Sequence, residues 1–234
     1  METNLSKDKD KISSMFDSIA GKYDFLNHAL SLNIDKSWRK KLIKTVRSQE
    51  AKMVLDLACG TGDVSFGLAE ADIKIIGGDI SREMLKIAEQ KKEKCKHKEN
   101  IQFEYCEADN LRFENDTFDA ITISFGIRNF DQRQKCIKEL YRVLKPGGLL
   151  AILEFTIPKN SIWKGIYSFY FRNILPSIGK LVSGQKAAYV YLPESAFSFP
   201  QREEFCKELS TACFKTPSYE SLTGGVACLY KAIK

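Results

Sequence analysis

Histidine is scarce in this chain, with two in 234 residues. The seven cysteines, at positions 59, 95, 106, 136, 206, 213 and 228, never form a Cys-x-x-Cys pair. These shortages argue against a zinc site, and no metal is expected. Odd, scattered cysteines read as reduced thiols of a cytoplasmic protein rather than as a disulfide framework. No apolar run approaches the roughly 18 residues that a membrane span needs. Met1 to Lys11 is polar and mixed in charge, without the apolar core of a signal peptide or the Arg-rich look of a transit peptide. Internal repeats and low-complexity linkers are also missing. What remains is an ordinary globular composition, 44% hydrophobic and 28% charged, long enough for one α/β domain with a full core. The net charge of +6 permits a weak attraction to anionic surfaces and no more.

Residues 12 to 47 carry apolar side chains at helical spacing, among them Met15, Phe16, Ile19, Tyr23 and Leu26. An α/β rhythm follows. Strands are expected at Met53 to Ala58, Ile73 to Gly78, Ile101 to Cys106, Phe118 to Phe125 and Leu149 to Phe155. Helices are expected at Asp63 to Glu70, at Glu83 to Lys94 with Ser81 as N-cap, and at Gln132 to Leu144, where Lys145-Pro146-Gly147-Gly148 stops the helix. After residue 158 the rhythm breaks into an aromatic, apolar stretch. A helix near 201 to 210 and an antiparallel pair, Ser218 to Leu222 and Val226 to Ile233, close the chain. The pattern predicts a doubly wound, mostly parallel seven-stranded sheet with an antiparallel last strand, preceded by helices and interrupted by a helical lid. Residues 1–47 read as a helical cap, 48–234 as the ligand-binding domain and 158–195 as a lid insertion, all within one structural domain.

Such a sheet binds ligands beyond the carboxyl ends of its strands. The loop after the first strand is Gly60-Thr61-Gly62, where glycine allows a sharp turn and close backbone approach. A dinucleotide fingerprint needs a further glycine at 65, and Ser65 stands there. Asp56 lies four residues before Gly60 in an otherwise apolar strand. The resulting acid-x-x-x-Gly-x-Gly pattern suits S-adenosyl-L-methionine, which carries an ammonium and a sulfonium in place of a pyrophosphate. Asp79, closing the second strand, is placed to accept both ribose hydroxyls. Glu107, Ala108 and Asp109 follow the third strand, where polar groups face an adenine. Ser124 ends the fourth.

Several stretches together resemble the ubiquinone/menaquinone biosynthesis C-methyltransferases. They are Met15 to Ala20 with Tyr23-Asp24 and Asn27; Ser37-Trp38-Arg39-Lys40; Asp56 to Asp63; and Thr122-Ile123-Ser124-Phe125-Gly126-Ile127-Arg128-Asn129. Tyr141 to Gly148, Glu154-Phe155, Tyr191 to Ser195 and Leu222 to Gly225 complete the set. The glycine loop and Lys-Pro-Gly-Gly occur in many methyltransferases, whereas the Ser-Phe-Gly-Ile-Arg-Asn stretch is far narrower. The resemblance implies a Rossmann-like class I methyltransferase fold and cofactor contacts at Gly60, Thr61, Asp79, Glu107-Ala108 and Ser124. Anchoring on Leu111 and Phe113 sets the adenine pair on Glu107-Ala108, with Asp109 as the alternative. Glu107 replaces a shorter acid or amide, Arg112 a proline, and Asn33 a glycine, although Asn also tolerates the left-handed conformation.

The implied reaction is carbon methylation of a prenylated benzoquinol or naphthoquinol, with a lean toward demethylmenaquinol. Arg128, always charged and a poor base, is expected to stabilise the quinolate electrostatically. Asn129 would orient the ring oxygen or a water, and Tyr23 would hydrogen-bond from the lid. Water or His28 would take the proton. The apolar segment from Ile162 to Leu175 would line a channel for the isoprenoid tail. The basic stretch of Lys36, Arg39, Lys40, Lys41, Lys44 and Arg47 reads as a solvated helix face that can touch anionic lipid. The expected partners are thus the prenylated quinol and, transiently, the inner face of the cytoplasmic membrane, with a homodimer compatible with the sequence. Nucleic acid is not expected, because the Asn/Asp-Pro-Pro-aromatic loop of base methylases, a Pro-Cys nucleophile pair and an appended nucleic-acid module are all missing. A cofactor-binding assembly partner without catalysis is the remaining rival.

Overall fold

The computed structural model describes residues 8–174 and 186–234. Three helices come first: α1 (Lys9–Ile19), α2 (Tyr23–Leu30) and α3 (Ile34–Arg47). The alternation then runs β1 (Met53–Leu57), α4 (Asp63–Leu68), β2 (Lys74–Asp79), α5 (Arg82–Lys92), β3 (Ile101–Tyr105), β4 (Phe118–Ser124), α6 (Arg133–Val143) and β5 (Leu144–Phe155). Helix α7 (Ser161–Phe169) leads into a π-helical turn, Tyr170–Ile174. Then come α8 (Lys186–Ser198), α9 (Glu203–Thr211), β6 (Lys215–Leu222) and β7 (Ala227–Ile233). Leu175 and the rest of 175–185 lie outside the described residues.

The seven strands form one sheet in the order β3-β2-β1-β4-β5-β7-β6. Strand β7 runs antiparallel to both β5 and β6, and the other pairings are parallel, as the sequence predicts. The central strands are buried on both faces, which is why they read as near-continuous apolar runs. Leu55, Leu57, Ile121 and Ile123 point to the layer of α6 and α9, whereas Val54, Ala120 and Ala151 point to that of α3 and α4. Strand β5 starts five residues earlier than expected. Leu144 pairs with Phe118 and Leu149 with Ala120, so the Lys-Pro-Gly-Gly stop is an irregularity within the pairing, with Gly147 at φ 79°.

Helix α3 presents Trp38, Leu42 and Val46, one turn apart, to the sheet. Its entry uses left-handed backbone at Leu32 (φ 52°) and at Asn33 (φ 61°), the conformation for which Asn33 is suited. Trp38 packs against Phe125 and Phe155, and its indole N–H donates to Thr223 Oγ1 at 2.8 Å. Helices α1 and α2 join α5 and α7 in a separate apolar cluster built on Ile19, Leu26, Met84 and Tyr167. The cap is therefore pinned to the sheet chiefly through α3. Trp38→Ala should cost about 3–5 kcal/mol, and limited proteolysis should then cut within residues 8–47 before the sheet opens.

Candidate active site

The carboxyl ends of β1, β2, β3 and β4 open into a cleft of about 820 Å³. Its floor is the glycine loop, which turns by left-handed backbone at Ala58 (φ 55°), Gly60 (φ 57°) and Gly62 (φ 88°). A Cβ on Gly62 would come within 2.7 Å of Phe66 and 2.9 Å of Phe103, so glycine is required there for space as well as conformation. The Gly60 N–H donates to Asp79 Oδ2 at 2.8 Å, and the Ser81 N–H donates to Asp79 Oδ1 at 2.8 Å. The helix cap is supplied by Ser81, whose Oγ accepts from Met84 N–H at 3.1 Å. Asp79 is thereby held rigid without serving as the cap. Burial pushes its carboxyl up, against three backbone hydrogen bonds.

Beyond the end of β3, Glu107 and Asp109 both meet Lys9, which α1 brings over the cleft. Lys9 Nζ lies 2.8 Å from Glu107 and 2.5 Å from Asp109. Lys9, together with the Tyr105 hydroxyl, holds the Glu107 carboxyl below its usual range. Ile80, Met84, Ala108 and Phe130 supply apolar walls for a flat ring. The Ser124 hydroxyl and Asn129 Oδ1 are buried in the lining without a hydrogen-bond partner among the described residues. An acid at the end of β2, an apolar slot and two buried polar atoms without a partner among the described residues would fit an adenosyl group.

A small polar recess continues the cleft beside the glycine loop, lined by Arg39, Asp56, Gly60, Thr61, Asp63 and Ser124 among others. Thr61 is buried, and its hydroxyl donates to Asp24 of α2. Lys91 of α5 bridges Asp24 at 3.0 Å, Thr61 at 3.2 Å and Asp63 at 2.8 Å. Asp56 accepts from Ser65 Oγ at 2.6 Å and from Thr122 Oγ1 at 2.8 Å. Ser65, which replaces the third glycine of a dinucleotide loop, thus serves the buried acid.

A second, larger cavity lies under α7 and the cap. Phe16, Tyr23 and Phe125 belong to the walls of both it and the cleft, so the two spaces meet at these rings. Tyr23 also borders the recess, and burial pushes its phenol up. Trp163, Ile166, Tyr167, Tyr170 and Phe171 line the larger cavity, as expected of the aromatic segment. Ile162 and Phe169 are instead exposed.

Arg128 lies in a 3-10 turn, Ile127–Asn129, and lines the larger cavity while almost fully buried. Its Nη1 is 2.8 Å from Glu154 Oε1 and also donates to the Phe125 carbonyl. Its Nε donates to Ser195 Oγ at 3.2 Å. The Ser-Phe-Gly-Ile-Arg-Asn, Glu154-Phe155 and Tyr191 to Ser195 stretches therefore converge on one node. Asn129 lines the cleft along β1 to β4 and is not among the residues around the larger cavity. The basic stretch is a solvated face except at Arg39, which turns inward and pairs with Asp35, while Lys41 pairs with Glu220 and Arg47 with Glu70 at the surface. The Asp35–Arg39 spacing of one helical turn, beside Trp38 and Leu42, is the signal that could have placed Arg39 inside.

A family model described as the ubiE/COQ5 methyltransferase family matches residues 3–234. The chain belongs to this family. It is 41% identical over 233 residues to the "Ubiquinone/menaquinone biosynthesis C-methyltransferase UbiE" of Geotalea daltonii, covering 98% of this chain and 99% of that one. It is 40% identical over 235 residues to the "Demethylmenaquinone methyltransferase" of Bacteroides fragilis, covering 99% and 96%. Among solved structures, an S-adenosylmethionine-dependent methyltransferase of Thermotoga maritima superposes with a TM-score of 0.64 at 19% identity, covering 94% of this chain and 99% of that one. That likeness establishes the Rossmann-like methyltransferase fold. Family membership makes the chain a methyltransferase.

Burial raises the Asp56 carboxyl from 3.8 to about 6, against the hydrogen bonds from Ser65 and Thr122. For an acid whose folded value is raised, the native-state advantage is full below the unfolded value and is lost as pH rises through the folded one. Asp56→Asn should therefore stabilise the fold above pH 6 by up to about 3 kcal/mol. The gain should vanish near pH 4, as read from urea midpoints at the two pH values.

Proposed function

We propose that the chain transfers a methyl group from S-adenosyl-L-methionine to a ring carbon of a prenylated quinol, converting demethylmenaquinol to menaquinol. One observation carries this reading. A cleft that sets the Asp79 carboxylate and the unpartnered Ser124 and Asn129 oxygens among apolar walls, fit for an adenosyl group, abuts a larger apolar cavity with space for a ring and part of its tail, and three aromatic side chains form the shared wall. The naphthoquinol is favoured over the benzoquinol because menaquinone is in the names of both relatives described above, and ubiquinone in only one.

When bound, the donor supplies an electrophilic methyl group on a sulfonium. Gly60, Asp79, Ala108 and Ser124 would hold it, Asp79 through the ribose. Thr61 would contribute its backbone, since its hydroxyl is engaged by Asp24 and Lys91. Glu107, already paired with Lys9, would face the adenine edge beside Asn129, whose free Oδ1 suits an amino group. Tyr23 stands where the two spaces meet and donates to a ring oxygen. Arg128, fixed by Glu154 and Ser195, supplies positive potential on the acceptor side as charge develops on the ring. Orientation across the aromatic wall accounts for much of the acceleration.

The tail would enter from the membrane. Leu32, Ile34, Trp163 and Ile166 are exposed and also line the larger cavity, so its mouth has an apolar rim. Lys36, Lys40 and Lys164 lie exposed on α3 and α7 without an ion pair among the described residues. Among the described residues no helix is long and apolar enough to cross a membrane. We therefore read the rim as a peripheral contact with the cytoplasmic leaflet.

Methyl-labelled donor should label demethylmenaquinol and leave bulk RNA unlabelled; the reverse would refute the proposal. Arg128→Ala strands the buried Glu154, so the fold should lose about 3–5 kcal/mol. The folded fraction should lose turnover about 100-fold or more, with cofactor affinity changed less than about threefold. Replacing Leu32 and Ile166 together by Asp should release the protein from sedimented anionic vesicles. Turnover of a quinol with a short, water-soluble tail should persist.

A further inference from the structure

The reaction needs an acceptor for the ring hydroxyl proton, and the larger cavity restricts the choice. Its titratable lining consists of tyrosines, two arginines and a single carboxylate, Asp35, among the described residues. Burial pushes the Tyr23, Tyr167, Tyr170 and Tyr191 phenols up, so none is ionised near neutrality. The arginines carry no lone pair to offer. His28 is not in the lining, but its Nδ1 lies 2.8 Å from Asp35 Oδ2. Its Nε2 lies 3.8 Å from Asp63 Oδ2, and Asp63 borders the recess on the donor side. Ser31 Oγ donates to Asp35 Oδ1 at 2.6 Å, and Arg39 pairs with Oδ2. An ionised carboxylate has about four lone-pair sites, and these three partners leave room for one further hydrogen on the cavity side.

We propose that Asp35 is the general base of the methyl transfer and that His28 positions it. This rests on the quinol reading above. The ring O–H bond breaks, and its proton passes to Asp35. The electron pair left on oxygen moves into the ring, and the ring carbon forms its bond to the incoming methyl carbon as the methyl–sulfur pair stays on sulfur. The ring C–H proton then leaves to water, the ring regains aromaticity, and Asp35 returns its proton to the ring oxygen. One proton is released per methyl transferred, and the quinol remains a quinol. Arg39, one turn along α3, sets its guanidinium against the buried Asp35 carboxyl. His28 fixes the carboxylate plane from α2, and Asp63, held by Lys91 of α5, lies 3.8 Å from the far side of the imidazole. Across the cavity the facing charge is that of Arg128, itself balanced by Glu154.

The test uses the full chain with Asp35→Asn, Asp35→Glu and His28→Gln. Asp35→Asn should lower kcat about 100-fold or more. Affinity for S-adenosylhomocysteine, measured by calorimetry, should change less than about threefold. Its residual rate should climb tenfold per pH unit as hydroxide replaces the lost base, a slope the wild type lacks. Asp35→Glu should recover part of kcat, and His28→Gln should lower kcat about tenfold at unchanged KM. A second readout needs no methyl donor. Excited 1-naphthol bound in the cavity should emit as naphtholate in the wild type, because its proton has an acceptor, and as neutral naphthol in Asp35→Asn. Wild-type kcat and pH slope in Asp35→Asn, or unchanged naphtholate emission, would overturn the assignment. A wild type that methylates no quinol but still shows Asp35-dependent naphtholate emission would sink the quinol reading and spare Asp35.

Discussion

The buried pair of Arg128 and Glu154 is the interaction on which the walls of the larger cavity depend. Glu154 is fully buried at the end of β5, and Arg128 is nearly so in the turn after β4. Removal of either partner would leave a bare charge in apolar surroundings, so the two constrain each other and everything bonded to them. Through the guanidinium they hold Ser195 of α8 and the carbonyl of Phe125. Phe125 takes φ 59°, an uncommon conformation for a bulky residue, and its ring stacks on Phe155 at 4.4 Å. Gly126 beside it would place a Cβ 2.5 Å from the Cβ of Ala58 in the glycine loop. The donor loop and the acceptor loop are thus packed against each other with no room for a side chain at Gly126.

Much of this was legible in the sequence because it rests on local rules. The strands announce themselves as apolar runs and the glycine loop by its spacing. Ser81 reads as a cap, which frees Asp79 for another task, and the structure has them so. Other features depend on tertiary encounters that no local pattern encodes. Lys9 reaches Glu107 across 98 positions, and Lys91 gathers Asp24, Thr61 and Asp63 from three elements. Arg39 looked like one more lysine-rich surface position because charge count outweighed its helical phase. Asn129 follows Arg128 directly, yet the 3-10 turn aims the two at different cavities. Strand β5 began early because pairing with Phe118 resumes across two glycines, a detail set by its neighbour.

The cap also has a larger part than its position at the start of the chain suggests. Asp17 accepts from Ser81 Oγ at 2.5 Å and from the Glu83 N–H at 3.3 Å, so α1 completes the start of α5. Lys9, Tyr23, Asp24 and Arg39 all reach the donor side from the first three helices. Charged groups on the cap thus meet charged groups of the sheet domain at Glu107 and Asp109 and beside the glycine loop.

The aromatic wall divides the molecule by origin as well as by ligand. On the donor side the cradle comes chiefly from loops that follow the strands of the sheet. Around the larger cavity most of the lining comes from α1, α2, α3, α7 with its π-helical turn, and α8, segments that hang on the sheet without being part of its alternation. Drift in these outlying helices can therefore reshape the acceptor chamber while the strand-end loops stay fixed. A lineage could retune ring size or tail length by editing a few helical turns, keeping one donor grip across many acceptors.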